Sequence, residues 1–128
     1  MDEKMGASEP ADVDRLFMEA WNCNDLDGMV ALFEPEGVLI PQAGERVTGR
    51  DAIRQVFAGF VAAFPKIDLT TRGVVEQGGL ALVYSDFILR GTGEGGEPTT
   101  LEGHPTVVLR RQTCGTWLFV IDDPFSTA

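Results

Sequence analysis

At 128 residues the chain has room for one domain with a genuine hydrophobic core. Twenty acidic residues against ten basic ones leave a formal charge of −10, a field that repels phosphate backbones and anionic lipid and so argues against nucleic-acid and membrane roles. No apolar run approaches the roughly 20 residues of a membrane span, and MDEKMGASEP lacks the basic and apolar regions of a signal peptide, which predicts a cytoplasmic protein.

Residues 1–9 read as a flexible polar leader, and residues 10–128 as a single domain. Val13, Leu16, Phe17, Ala20 and Trp21 form one stripe of an α-helix. A shorter helix follows, with Asn24 as its cap and Leu26, Met29, Val30 and Phe33 on one face, until FEPEG breaks it. Val38–Ile40 reads as a small strand. A third helix spans Gly49–Phe64, with Ile53, Val56, Phe57, Phe60, Val61 and Phe64 on its buried side. Beyond Pro65 the period falls to two. Strands are predicted from Ile67 to Val75, Leu80 to Arg90, Thr99 to Arg111 and Thr116 to Asp122, with Gly78-Gly79 as a hairpin turn. Helices followed by a meander specify an α+β domain. The expected form is a cone-shaped barrel, in which three N-terminal helices pack on a curved antiparallel sheet. Its mouth would hold a pocket.

Three segments carry a family resemblance: AWNCNDLDGMVALFEPEGVLIP, the helix opening GRDAIRQVF, and VLRRQTCGTWLFVIDDP. From Val13 to Pro124 the chain resembles the SnoaL-like branch of the NTF2-like superfamily, relatives of ketosteroid isomerase. That resemblance implies the cone-shaped fold. It leaves activity open between isomerase, cyclase or dehydratase-type proton transfer and a non-catalytic ligand-binding or dimerisation module. The isomerase tyrosine falls near Phe17, its aspartate base near Pro41, and its second acid near Thr106 or Val107. A phenyl ring donates no hydrogen bond and proline accepts no proton, so the steroid-isomerase mechanism is not expected.

Other residues must then carry any chemistry. His104, the only histidine, has the side chain suited to acid-base work at neutral pH. Regular alternation gives it the face opposite Leu101, Gly103, Pro105 and Val107, unless a bulge at Gly103 or Pro105 reverses the parity. Tyr84 and Asp86 share one parity of their strand and form a second proton-handling candidate, or else a network that fixes the strand. Phe17, Trp21, Phe57, Trp117 and Phe119 are the expected pocket wall. Trp117, Phe119, Ile121 and Asp123 fall on one parity, and Asp122-Asp123-Pro124 either caps the last strand or brings a carboxylate to the rim. Arg50, Asp51 and Arg54 read as anchors of the third helix. Nothing in the spacing makes a metal site, a phosphate loop or a serine elbow. No cofactor is expected. Cys23 and Cys114, without CxxC spacing, are expected as buried or half-buried thiols. Because the long strands are apolar on both parities, a homodimer through the sheet is expected.

Overall fold

A computed structural model describes residues 6–126. The first helix, α1, spans Pro10–Asn22 and starts on a proline, whose missing N–H costs nothing in a helix's first turn. Helix α2 is the short Leu26–Val30, and α3 is Arg50–Ala63. The strands are β1 (Phe33–Leu39), β2 (Val47–Thr48), β3 (Lys66–Gln77), β4 (Leu80–Thr92), β5 (Pro98–Gly103), β6 (Thr106–Arg111) and β7 (Trp117–Asp123).

The expected cone-shaped barrel is not what forms. The sheet is open: its strands run β2-β1-β7-β6-β4-β3, with β5 added to β4, and the two end strands do not pair. Nor is it purely antiparallel, since β1 and β7 run parallel. The missing information was β1. FEPEG, read as a helix break, is itself strand, and Phe33 starts that strand rather than extending α2. Pro35 is tolerated because β1 pairs irregularly there, its register on β7 shifting between Phe33 and Val38.

The expected strand Thr99–Arg111 is two strands. His104 and Pro105 interrupt it, and β4 serves both pieces: Leu80–Tyr84 pairs with β6 and Phe87–Thr92 with β5. At the junction the Ser85 N–H donates to the Pro105 carbonyl at 3.2 Å. Helix α2 is capped by Asp25, not Asn24. The Asp25 carboxylate accepts from the Gly28 N–H at 2.9 Å, and any side chain at Gly28 would collide with it.

The helices lie on the inner face of the sheet, and polar ties fix them there. Asn22 exchanges two hydrogen bonds with the Ile67 backbone, at 2.8 and 3.1 Å, and the Trp21 indole donates to the Phe64 carbonyl at 2.8 Å. Arg50 reaches the Phe33 carbonyl, while Arg54 pairs with Asp27 at 3.0 Å. Phe33, Met29, Leu39, Ile53 and Leu109 are sealed in the core. The first five residues of the expected leader lie outside the described residues. Ala7, within it, is buried and bridges to Trp117. Both cysteines are free and exposed, contrary to the buried or half-buried placement expected of them; Cys23 sits in the turn after α1 and Cys114 in the β6–β7 turn. No helix among the described residues is long and apolar enough to cross a membrane.

Candidate functional site

One deep cavity lies between the helices and the inner face of the sheet. Asp14, Phe17 and Trp21 of α1 form one side with Phe57 and Phe60 of α3. The sheet side comes from Ile67, Leu69, Phe87, Leu89, Val107, Phe119 and Asp122, and the segment after β7 adds Pro124 and Phe125. Its empty volume is about 510 Å³ with the mouth included. The rings interlock: Phe17 meets Phe57 and Phe119 edge-on at 5.4 and 5.7 Å, and Phe125 meets Phe87 at 5.6 Å. Hydrocarbon surrounds two acids.

Asp14 is buried in the apolar stripe of α1, one turn before Phe17. Its Oδ2 accepts hydrogen bonds from the hydroxyls of Thr71 and Ser85, both at 2.6 Å. Ser85 points inward because β4 alternates, with Ala81, Val83, Ser85, Phe87 and Leu89 buried in turn. Two donors on one oxygen fix the position of the Asp14 carboxyl.

Asp122 has no such support. It is only 6% exposed, and no group among the described residues donates a hydrogen bond to its carboxyl. Burial away from water, then the negative charges of Asp14 and Asp123, raise its pKa to about 7. Its inward direction depends on one extra residue. In β7, Phe119 faces Leu109 of β6 and Ile121 faces the adjacent Val108, so Val120 is a bulge. Before the bulge Trp117 and Phe119 point in; after it Ile121 points out and Asp122 points in. Unbroken alternation had put Ile121 and Asp123 on the Phe119 face, and the bulge corrects that.

Four of the five expected pocket residues, Phe17, Trp21, Phe57 and Phe119, line this cavity. Trp117 does not. It is buried at the other end of β7, where its N–H donates to the Ala7 carbonyl at 2.9 Å.

Of the expected proton-handling residues, Asp86 and His104 come together, on the outer side of the sheet that regular alternation gives His104. Tyr84, Asp86 and His104 lie on the outer face, because the parity that buries Ser85 and Phe87 turns Tyr84 and Asp86 away from the helices. Asp86 accepts from His104 Nδ1 at 2.7 Å and from Arg72 Nε at 3.0 Å. The His104 hydrogen bond, aided by the Arg72 charge, holds the Asp86 carboxyl below its ordinary pKa. That cluster is exposed and shares no wall with the cavity. Among the described residues, no group of three or more histidine, cysteine or acidic side chains is placed to hold a metal.

Sequence reasoning missed Asp14, and named Asp122 only within a carboxylate pair at the strand end that either caps the strand or reaches the rim. For Asp14 a signal existed: Pro10, Val13, Asp14, Phe17 and Trp21 share one helical stripe, so an acid sat among residues bound for the core. For Asp122 the local pattern pointed the other way.

The sequence pattern of the SnoaL-like domain matches residues 13–117. The chain belongs to the SnoaL-like family. Among solved structures, this SnoaL-like chain is similar to a ketosteroid isomerase-like protein from Erwinia carotovora atroseptica, at 18% identity over 92% of this chain and 93% of that one, with a TM-score of 0.79. A conserved protein from Planctomyces limnophilus shares 17% identity over 90% and 91% of the two chains, also with a TM-score of 0.79. A calcium/calmodulin-dependent protein kinase type II association domain from Thiobacillus denitrificans, so described provisionally, gives 19% identity, 97% and 100% coverage, and a TM-score of 0.73. At these identities the likeness concerns fold. None of the curated proteins matches this chain.

Proposed function

We propose that this SnoaL-like protein binds a small, mostly apolar molecule between its helices and sheet, and that Asp14 and Asp122 exchange protons with it. The observation that carries the reading is Asp122: a buried, unpaired carboxyl with a pKa of about 7, beside a second carboxylate in a ring-lined cavity. A group half-protonated at neutral pH serves as acid or base with little energetic bias. Two carboxyls facing one cavity can divide the work. In an isomerisation, one carboxylate takes a proton from carbon and the neighbouring acid returns one elsewhere on the molecule. In a dehydration, the Asp122 proton leaves with the hydroxyl as water while Asp14 takes the carbon-bound proton. Solvent exchange then restores both groups.

The test uses 2-tetralone, a compact bicyclic ketone with exchangeable protons beside its carbonyl. In D2O near pH 7 the wild-type protein should accelerate deuterium incorporation, followed by NMR. Asp122→Asn and Asp14→Asn should each lower that rate by about 100-fold or more. Quenching of Trp21 fluorescence by the ketone without accelerated exchange would leave only the non-catalytic binding module.

A separate observation supports a homodimer through the outer face of the sheet. Val75, Leu82, Val108, Ile121 and Val38 are successive cross-strand partners and form one apolar row over five strands. Val75 is 56% exposed and Ile121 36%, with Leu80 and Tyr84 exposed beside them. A continuous apolar row on an uncovered sheet face fits a self-complementary two-fold contact. The exposed free thiols fit a reducing compartment, and we place the protein in the cytoplasm.

A further inference from the structure

We propose that the cavity is built to take an organic monocation, an ammonium or quaternary ammonium head carried on a small apolar body. This rests on the reading above that the cavity is the ligand site, and adds the ligand's charge. Its lining holds two acids and no lysine, arginine or histidine. Asp14 has its hydroxyl donors, but Asp122 is more than nine-tenths buried and has no partner among the described residues. An unpaired buried carboxylate is costly, and an opposite charge brought into the same cavity offsets that cost.

The walls narrow the choice of cation. A bare metal ion would give up water ligands and, among the described residues, find no third histidine, cysteine or acid to replace them. An alkylated ammonium is weakly hydrated and attracted to aromatic rings, and Phe17, Trp21, Phe57, Phe87, Phe119 and Phe125 supply them. The chain's charge of −10 raises the local concentration of any cation.

Neutral and cationic ligands must respond to pH in opposite directions. The charged groups acting on Asp122 are Asp14 from α1 and Asp123 from its own strand; its cross-strand partners on β6 and β1, Val107 and Leu39, are apolar. A neutral ligand strips remaining water from Asp122 and favours its protonated form. A cation favours the carboxylate and expels the proton.

The probes are benzyltrimethylammonium and its uncharged carbon isostere, neopentylbenzene, titrated into the full chain by calorimetry at pH 6 and pH 8. The cation should bind about tenfold more tightly at pH 8, as expected for one group with a pKa of about 7. At pH 6, comparison of two buffers of different ionisation enthalpy should reveal release of nearly one proton per ligand. Neopentylbenzene should bind more weakly at pH 8 than at pH 6. In Asp122→Asn the cation's pH dependence should disappear; if that variant fails to fold, the wild-type proton release decides alone. Neopentylbenzene binding as tightly as the cation at both pH values would overturn the inference while leaving the apolar-cavity reading intact. Cation binding without proton release would also overturn it, as would cation binding that survives Leu69→Trp, a substitution that fills the cavity. If neither probe binds, the cavity reading falls with it.

Discussion

Asp122 behaves unlike the other acids because nothing around it compensates for lost water. An unfolded aspartate titrates near pH 4, whereas Asp122 in the fold titrates at about 7. The folded state therefore holds the proton more tightly. The stability this gives is complete below pH 4 and drains away as pH rises through 7, for a total on the order of 4 kcal/mol. Asp122→Asn keeps the shape and removes the titration. We expect that variant to exceed wild type in urea denaturation at pH 8 by a few kcal/mol, with the gap closing towards pH 4. Equal pH profiles for the two proteins between pH 4 and 8 would mean that Asp122 is not the buried titrating group. The other acid, Asp14, was legible in principle, since its neighbours Val13 and Phe17 were read as core. Alternation alone gives His104 the outer face, whereas the Tyr84–Asp86 strand is apolar on both parities, so only the packed helices decide which of its faces is inner.

At the scale of the element, a single inserted residue has the largest functional consequence. Val120 reverses the parity of β7 and so exchanges Asp123 for Asp122 in the cavity. Periodicity locates such a strand but not a bulge within it, because the bulge exists only against the register of β6. The glycines of the helix–sheet contact show the same dependence on a neighbour. Gly91 of β4 lies directly under the end of α3, where any Cβ would overlap the Ala63 carbonyl oxygen. Gly91→Ala should cost on the order of 3 kcal/mol, since backbone cannot yield as a flexible side chain can. Gly59, exposed inside α3 with open space around it, should respond oppositely, with Gly59→Ala stabilising by about 0.5–1 kcal/mol. Thermal melts of the two variants check both signs, and a neutral Gly91→Ala would refute the close approach.

For the whole molecule the open question is what covers the outer face. Val108 sits at the middle of the apolar row, between Leu82 and Ile121. Val108→Glu places a charge at the centre of the proposed interface without touching the cavity on the other side. Sedimentation should give roughly twice 13.9 kDa for wild type and 13.9 kDa for the variant. A monomeric wild type at micromolar concentration would dismiss the dimer.

Three helices, an α+β class and four aromatic residues of the cavity wall were set by the sequence alone, because a stripe of apolar side chains at helical spacing can be satisfied only by burial. The likeness to the SnoaL-like family followed from the same local patterns. Whether the sheet closed was decided elsewhere. It is mixed because β1 pairs in parallel with the last strand, distant in sequence, and open because the end strands β2 and β3 do not pair; no local pattern encodes either. The same holds for the acids: Asp14 gains its donors from Thr71 and Ser85, distant in sequence, and Asp122 gains its direction from the register of β6. Side-chain chemistry is written residue by residue, but burial, parity and charge coupling are properties of neighbours, and only the folded chain supplies them.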